Sequence, residues 1–367
     1  MKLNCKKSEF LKGLQIIQSA ISNKSTLPVL MNVMVETLDD KVTLSATDLD
    51  ISVTRVVSAE ISKHGATTIP GRKLFEITRE LPPEEFTIEV DSNNLIKITS
   101  KNAVYKLVGL PKGDFPVIPQ FNETNSFSLK REVLSEMIKK TRFAVSTDET
   151  RYVLCGILMM VDKGKIKMIS TDGRRLSFIQ KSLSLEKKNV FKAIIPTKAV
   201  VELSRMLEFI GEDTAVKIDV GDNQIGFNAE ETTLVSRLID GHFPNYEQVI
   251  PQESKIKITI KTDALLQATR RVSLLSSEKS NFVKYTFSKN TLTLTAKTQD
   301  MGEAQDKIDI DYAGDPLEIG YNPVFVTDVL SNVGTDEVII ELTNALNPGI
   351  IRPATDDYLA VIMPMRV

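Results

Sequence analysis

Residues 172–175 read Asp-Gly-Arg-Arg, so an acid, a glycine and two guanidinium groups occupy four consecutive positions within the stretch ISTDGRRLSF. Groups of these types could bind an anion or move a proton. Two readings fit them. In one, Asp172 caps a strand-to-strand turn, Gly173 supplies a positive φ, and Arg174 and Arg175 are solvated. In the other, the basic pair belongs to a site. The rest of the chain offers little for catalysis. Its two histidines, His64 and His242, are far apart in sequence, and no G-x-S-x-G motif accompanies them. Cysteine and histidine do not cluster as zinc requires. Neither G-x-x-x-x-G-K-[ST] nor G-x-G-x-x-G occurs.

What decides between the readings is repetition. TIPGRKLFEITREL (68–81) returns as IIPTKAVVELSRML (194–207) and, more weakly, as EIGYNPVFVTDVL (318–330). The Thr-Asp pair of LSATDLDIS, Thr47 and Asp48, returns at Thr171 and Asp172, and Asp300 follows in TAKTQDMGE. GDFPVIP (113–119) returns as GHFPNYEQVIP (241–251). Three series of landmarks share a period of roughly 125 residues, far too long for a solenoid, so each repeat is a domain with its own core. The spacing places domains at 1–125, 126–252 and 253–367. The first copy of the turn, Asp48-Leu49-Asp50, keeps the acid but lacks the glycine and arginines. The basic version is peculiar to the middle repeat, which favours a site there.

Each repeat must supply elements to hold that turn. Apolar residues at helical spacing (Phe10, Leu14, Ile17 and Ile21; Leu134, Met137, Ile138 and Thr141; Leu265, Leu266, Thr269 and Val272) predict an opening helix in each repeat. A second helix begins after Ile-Pro, with faces Leu74, Ile77, Leu81 and Val200, Leu203, Leu207, Ile210; proline suits its first position. KVTLSAT, KIKMIST and TLTLTAK alternate as half-buried antiparallel strands do, after turn signals at Asp39-Asp40, Lys163-Gly164 and Lys289-Asn290. Two helices and six to eight short strands per repeat make an α+β fold.

The 367 residues suffice for two to four domains, and 42% hydrophobic content is ordinary for a globular chain. The longest apolar run, YVLCGILMMV (152–161), is about half a membrane span and reads as a buried strand. The opening MKLNCKKSEF lacks the apolar core of a signal peptide. Two cysteines without C-x-x-C suit a reduced, cytoplasmic chain. The net charge of −2 excludes a simple basic nucleic-acid binder, yet the six helices (5–22, 71–80, 130–145, 197–210, 262–275, 322–333) carry +6 between them. If those helices share one side of a sheet, that side attracts phosphates without reading sequence.

Repeats, absent catalytic motifs and basic helices come together in one family. TLPVL (26–30), ATDLDIS, TRYVLCGIL (150–158), STDGRRLS, FPNYEQVIP and the terminal MPMRV resemble, in order and over the full length, the bacterial DNA polymerase III β subunit family of sliding clamps. The resemblance implies three clamp-fold domains, each with antiparallel sheets and two helices, in a head-to-tail ring dimer threaded by double-stranded DNA. It implies a processivity factor with no catalytic residue, cofactor or metal and no membrane. A clamp loader would open the ring. The polymerase III α subunit, other polymerases and repair proteins would insert short linear motifs into a groove between the second and third domains. Carried over by position, that groove comprises Leu154, Thr171, Gly173, Arg174, Arg175, Leu176, Pro244, Val249, Asn322, Phe325, Leu346, Val361, Met363, Pro364, Met365 and Arg366. Its apolar members would seat Leu or Phe anchors, and its arginines would fix the peptide's polar atoms. Lys24 matches a DNA-touching loop position, and Arg72, Lys73, Tyr152 and Arg205 are further DNA candidates. The chain departs from the family at Gln248, where arginine is common, and near Ser280, where an aromatic gate is common. Both departures bear on peptide preference.

Overall fold

The structure is a computed structural model that describes all residues except 23–25, 124–125, 184–190, 277–280, 299–301, 356 and 367. Lys24, Ser280 and Asp300, named above, lie outside the described residues. The chain divides into two compact units, Met1–Ser135 with Lys198–Leu238, and Glu136–Thr197 with Ile239–Val367. The division runs through the middle repeat, because that repeat shares its strands between two sheets.

In the first unit, a five-stranded sheet runs in the order β5 (Glu60–Lys63), β1 (Lys2–Lys6), β7 (Glu85–Val90), β8 (Leu95–Ser100), β9 (Ala103–Val108). An eight-stranded sheet follows the order β10 (Phe127–Lys130), β15 (Ala215–Val220), β16 (Gln224–Ala229), β17 (Thr232–Arg237), β4 (Ile51–Ser58), β3 (Lys41–Thr47), β2 (Asn32–Leu38), β6 (Ala66–Pro70). In the second unit the eight-stranded sheet is β14 (Phe191–Pro196), β11 (Gly156–Asp162), β12 (Lys165–Thr171), β13 (Arg175–Ser182), β25 (Tyr358–Ile362), β24 (Gly349–Arg352), β23 (Glu337–Leu342), β18 (Ile256–Lys261). Its four-stranded sheet is β21 (Gly302–Asp309), β20 (Thr291–Thr298), β19 (Val283–Ser288), β22 (Leu317–Tyr321).

Each large sheet is therefore made by two repeats joined edge to edge. β4 of the first repeat pairs antiparallel with β17 of the second, Val53 opposite Leu234. β13 of the second pairs with β25 of the third, Ser177 opposite Ala360. The flanking backbone bonds repeat as well: Arg237 N–H donates to Asp50 O at 2.9 Å in the first joint, and Met363 N–H to Arg174 O at 2.9 Å in the second.

Among the described residues six α-helices back the sheets: α1 (Lys7–Ile17), α2 (Gly71–Glu80), α3 (Arg131–Arg142), α4 (Thr197–Glu208), α5 (Thr262–Ser273) and α6 (Pro323–Val333). Phe10, Leu14 and Ile17 of α1, and Leu134, Met137, Ile138 and Thr141 of α3, are buried as their spacing predicts. Each fully buried apolar side chain is worth roughly 1.5–3 kcal/mol relative to exposure. Phe10 meets Phe86 edge to face, centroids 5.2 Å apart.

Four details differ from the sequence reading. Pro70 ends β6 and Pro196 ends β14, so each precedes its helix, and only α6 has proline at its first position. The run YVLCGILMMV is not all strand. Tyr152–Leu154 belong to a 3₁₀ turn that begins where Asp148 accepts the Thr150 N–H at 3.1 Å, and β11 starts at Gly156. The first third of the chain holds nine strands rather than eight at most, because β5 adds an edge to β1. The helices are also shorter than their apolar spacing suggested, which leaves Lys6 and Lys130 on strands and lowers the helical charge to +4.

Candidate functional site

The turn at Thr171–Arg175 connects β12 to β13. Asp172 Oδ1 accepts the N–H groups of Arg174 and Arg175 at 2.9 and 3.0 Å. Thr171 Oγ1 donates to Arg175 O at 2.6 Å and accepts the Gly173 N–H at 3.0 Å. Gly173 sits at φ +85°, the region glycine enters without steric cost. One oxygen of Asp172 thus holds the backbone in an Asx-type turn, a structural role.

The two arginines part company. Arg174 is exposed and offers its carbonyl to the C-terminal segment. Arg175 points inward with 10% of its side chain exposed. Its Nε donates to Asp172 Oδ2 at 3.0 Å, one terminal nitrogen to Asp328 Oδ2 at 2.5 Å, and the other to Phe143 O at 2.6 Å. The guanidinium carbon lies 4.5 Å from the centroid of Phe325 and 5.5 Å from that of Phe143. Three of its five donors are therefore committed within the fold, and both ring contacts add cation–π attraction. Arg175, expected to fix a peptide's polar atoms, thus also ties together elements of the fold, whereas Arg174 keeps its side chain outward.

Beneath the turn lies an apolar floor. Leu154, Leu176 and Val361 are buried in one cluster with Leu158, Ile169, Ile194, Phe243, Tyr246 and Ile350, and Val249 packs against its edge. β13 brings Leu176 opposite Val361 of β25. Tyr246 stacks on Phe178 at 6.0 Å, and burial, aided by Glu247, pushes its phenol up to about 12. The tail then crosses the joint: Met363 N–H binds Arg174 O, and Met365 N–H binds Gly320 O at 2.8 Å. Gly320 is required there, since a Cβ would stand 2.1 Å from Phe282 Cε2. Met363, Pro364 and Met365 remain half-buried, and Arg366 is exposed.

The opposite wall is α6. Asn322 caps it, its side chain accepting the Val324 N–H at 2.9 Å, and Phe325 follows one turn in. Leu346 stands 80% exposed on a turn where Asn344 Oδ1 accepts two backbone N–H groups. Pro244 is exposed beside buried Phe243. All sixteen residues expected at the groove fall in the second compact unit. Sequence reasoning missed Asp328, Phe143 and Phe282. α4 and α6 each carry an acid at their sixth residue, but Glu202 is buried whereas Asp328 is 35% exposed.

The DNA candidates are more scattered. Arg72 and Lys73 on α2 both pair with Glu76, at 3.0 and 2.8 Å, and together hold its carboxyl below the usual range. Arg205 on α4 pairs with buried Glu202 at 3.3 Å. Those three lie in the first unit, whereas Tyr152 is exposed in the second. Cys5 and Cys155 are free thiols, with burial pushing Cys5 up to about 12. Among the described residues no group of histidine, cysteine and carboxylate side chains could hold a metal ion, and no described helix is long and apolar enough to cross a membrane.

Repeated domains joined strand to strand, with an apolar cluster beside a C-terminal tail, define a modular protein of the clamp class. Models of the DNA polymerase III beta subunit match the chain three times: the N-terminal domain at residues 1–119, the central domain at 128–245 and the C-terminal domain at 247–366. The beta sliding clamp of Chlamydia muridarum is 34% identical over all of this chain and 99% of its own length. The crystal structure of the DNA polymerase III subunit beta from Pseudomonas aeruginosa superposes with a TM-score of 0.96 at 30% identity, covering both chains completely. The sliding clamp of Bacillus subtilis does so with a TM-score of 0.96 at 29% identity, covering 100% of this chain and 99% of that one. The chain belongs to the DNA polymerase III beta subunit family, the beta sliding clamps. Its function is that of a non-catalytic processivity factor on DNA.

Proposed function

We propose that this clamp closes as a head-to-tail homodimer around duplex DNA, in the cytoplasm, and takes partner peptides in the slot at its second joint. Its domains on this reading are 1–125, 126–252 and 253–367. One observation carries it: both internal joints follow a single rule. The strand after the Thr-Asp turn of one repeat pairs with the last strand of the next, β4 with β17 and β13 with β25. The rule leaves β21 without a successor and β9 without a predecessor. Among the described residues each pairs on one side only, with β20 and β8. A second copy supplies both partners, and a heterologous contact of this kind closes into a ring when its rotation completes a circle. Apolar side chains stand exposed for it, Val108 at 69% on β9 and Leu274 at 79% where α5 ends beside β21.

The slot fits a short peptide because its floor is apolar, its rim includes the adaptable Met363 and Met365, and its tail would otherwise expose hydrophobic residues. Arg72, Lys73, Tyr152 and Arg205, with Lys24, are the proposed phosphate contacts. Such contacts are weak and salt-sensitive, which permits sliding.

Native mass measurement should give twice 40.9 kDa. Val108→Asp combined with Leu274→Asp should give monomer; a dimer that survives both would overturn the closing contact. Removal of 363–367 should abolish binding of a Leu-Phe peptide and leave the dimer intact, and unchanged peptide affinity would remove the slot from the proposal. Loaded clamp should persist on closed circular DNA and run off linear DNA, whereas equal loss from both would exclude encirclement.

A further inference from the structure

Arg175 joins three separate pieces of the second unit. It is anchored by Asp172 on its own turn, by Phe143 O just past α3, and by Asp328 on α6. Asp328 lies one helical turn beyond Phe325, so α6 presents an aromatic face and a carboxylate to the same guanidinium. Asn322 and Phe325 are the α6 wall of the slot, and Leu176, next to Arg175, is its floor. Arg175 therefore ties wall to floor, beside the apolar face that α6 buries through Val326, Val329, Leu330 and Val333. Only a tenth of the Arg175 side chain is exposed, so water screens its ion pairs less than at the surface.

We infer that Asp328 is a positioning residue of the partner slot. Its carboxylate draws Arg175 against α6 and thereby holds Phe325 at the width a peptide anchor needs. It does not touch the peptide. This rests on the slot being the partner site, and it assigns a role to a residue that the positional carry-over passed over. The same geometry predicts that lysine would not replace Arg175, because a single ammonium lacks the fork that reaches Asp172, Phe143 O and Asp328 together.

The test uses the full-length dimer and a fluorescein-labelled peptide ending in Leu-Phe, read by anisotropy. Asp328→Asn keeps the volume and removes the charge, and should weaken binding about tenfold while native mass stays that of the dimer. Asp328→Glu restores the charge on a longer arm and should recover part of the loss. A positioning role differs from general destabilisation in a cycle with Phe325→Ala. If Asp328 acts by placing Phe325, Asp328→Asn should cost less than about twofold once that ring is gone. Full additivity would overturn the proposal, as would wild-type affinity in Asp328→Asn. Failure of the wild-type clamp to bind the peptide would instead remove the slot reading itself. Should Asp328→Asn not fold, Asp328→Glu decides alone: unchanged affinity with the carboxylate displaced by a methylene would sink the idea.

Discussion

The turns at Thr47–Ile51 and Thr171–Arg175 are the same object built twice. In the first, Asp48 Oδ1 accepts the N–H groups of Asp50 and Ile51 at 3.1 and 2.9 Å, and Thr47 Oγ1 binds Ile51 O at 2.9 Å and the Leu49 N–H at 3.1 Å. The second copy repeats all four bonds through Asp172 and Thr171. Leu49 at φ +82° stands where Gly173 stands at +85°. Only the periphery differs. Asp48's outer oxygen takes the exposed Lys198, and the position of Arg175 is filled by Ile51, buried in the first unit. One scaffold thus serves as a plain joint or, on the proposed reading, as part of the partner slot, according to whether its fifth residue can reach across to the neighbouring helix. The two acids are structural in both copies, and the arginine is what was added.

The comparison breaks most visibly by removing the acids. Asp48→Ala should lose the carboxylate oxygen that accepts two backbone N–H groups and a surface ion pair, costing about 1–2 kcal/mol. Asp172→Ala loses the same acceptor and also leaves a nearly buried guanidinium short of one partner, so about 3 kcal/mol is expected. Because the chain forms two compact units, a single melting temperature would mix them. Local amide exchange in β4 and β13 separates the two effects. Equal costs would mean that Arg175 gains nothing from Asp172.

The next effect concerns the glycine. Gly173→Leu gives the second turn the residue that the first has at its third position, a left-handed position that costs an ordinary residue about 1–2 kcal/mol. Among the described residues the new Cβ would meet Arg151 Nη1 at 3.0 Å, the far end of a long side chain that donates to Asp172 O, so backbone strain more than collision should dominate. Exchange in β13 should rise accordingly. Protection at the wild-type level would show that the turn holds leucine as readily there as it does at Leu49.

How much of this could be read from the chain follows the same division. Helix faces were legible because burial imposes a period, and Leu134, Met137, Ile138 and Thr141 all obey it. The landmarks of the repeat were legible because the turn's hydrogen bonds demand Thr and Asp at fixed offsets. Element ends were less so: Pro196 looks like a helix start but closes β14, since strand pairing with Gly156 outweighs its helical preference. The partner of Arg175 was not legible. A contact across 153 residues leaves no spacing signature, and Asp328 by itself is an ordinary acid on a helix. The paired carbonyl of Phe143 carries no side-chain signal at all.

The smallest effect sharpens the comparison from the other side. Leu49→Gly gives the first turn the residue the second one has. Relief of the left-handed strain should stabilise by about 1–2 kcal/mol, and the added freedom of glycine in the unfolded chain should take back about 0.5–1 kcal/mol. Leu49 is about half exposed, so little packing is lost. The net expectation is a gain within about 1 kcal/mol, seen as slower amide exchange at the start of β4. A loss of more than about 1 kcal/mol would instead show that Leu49 packs usefully at this joint, and that the two turns differ in more than the reach of one arginine.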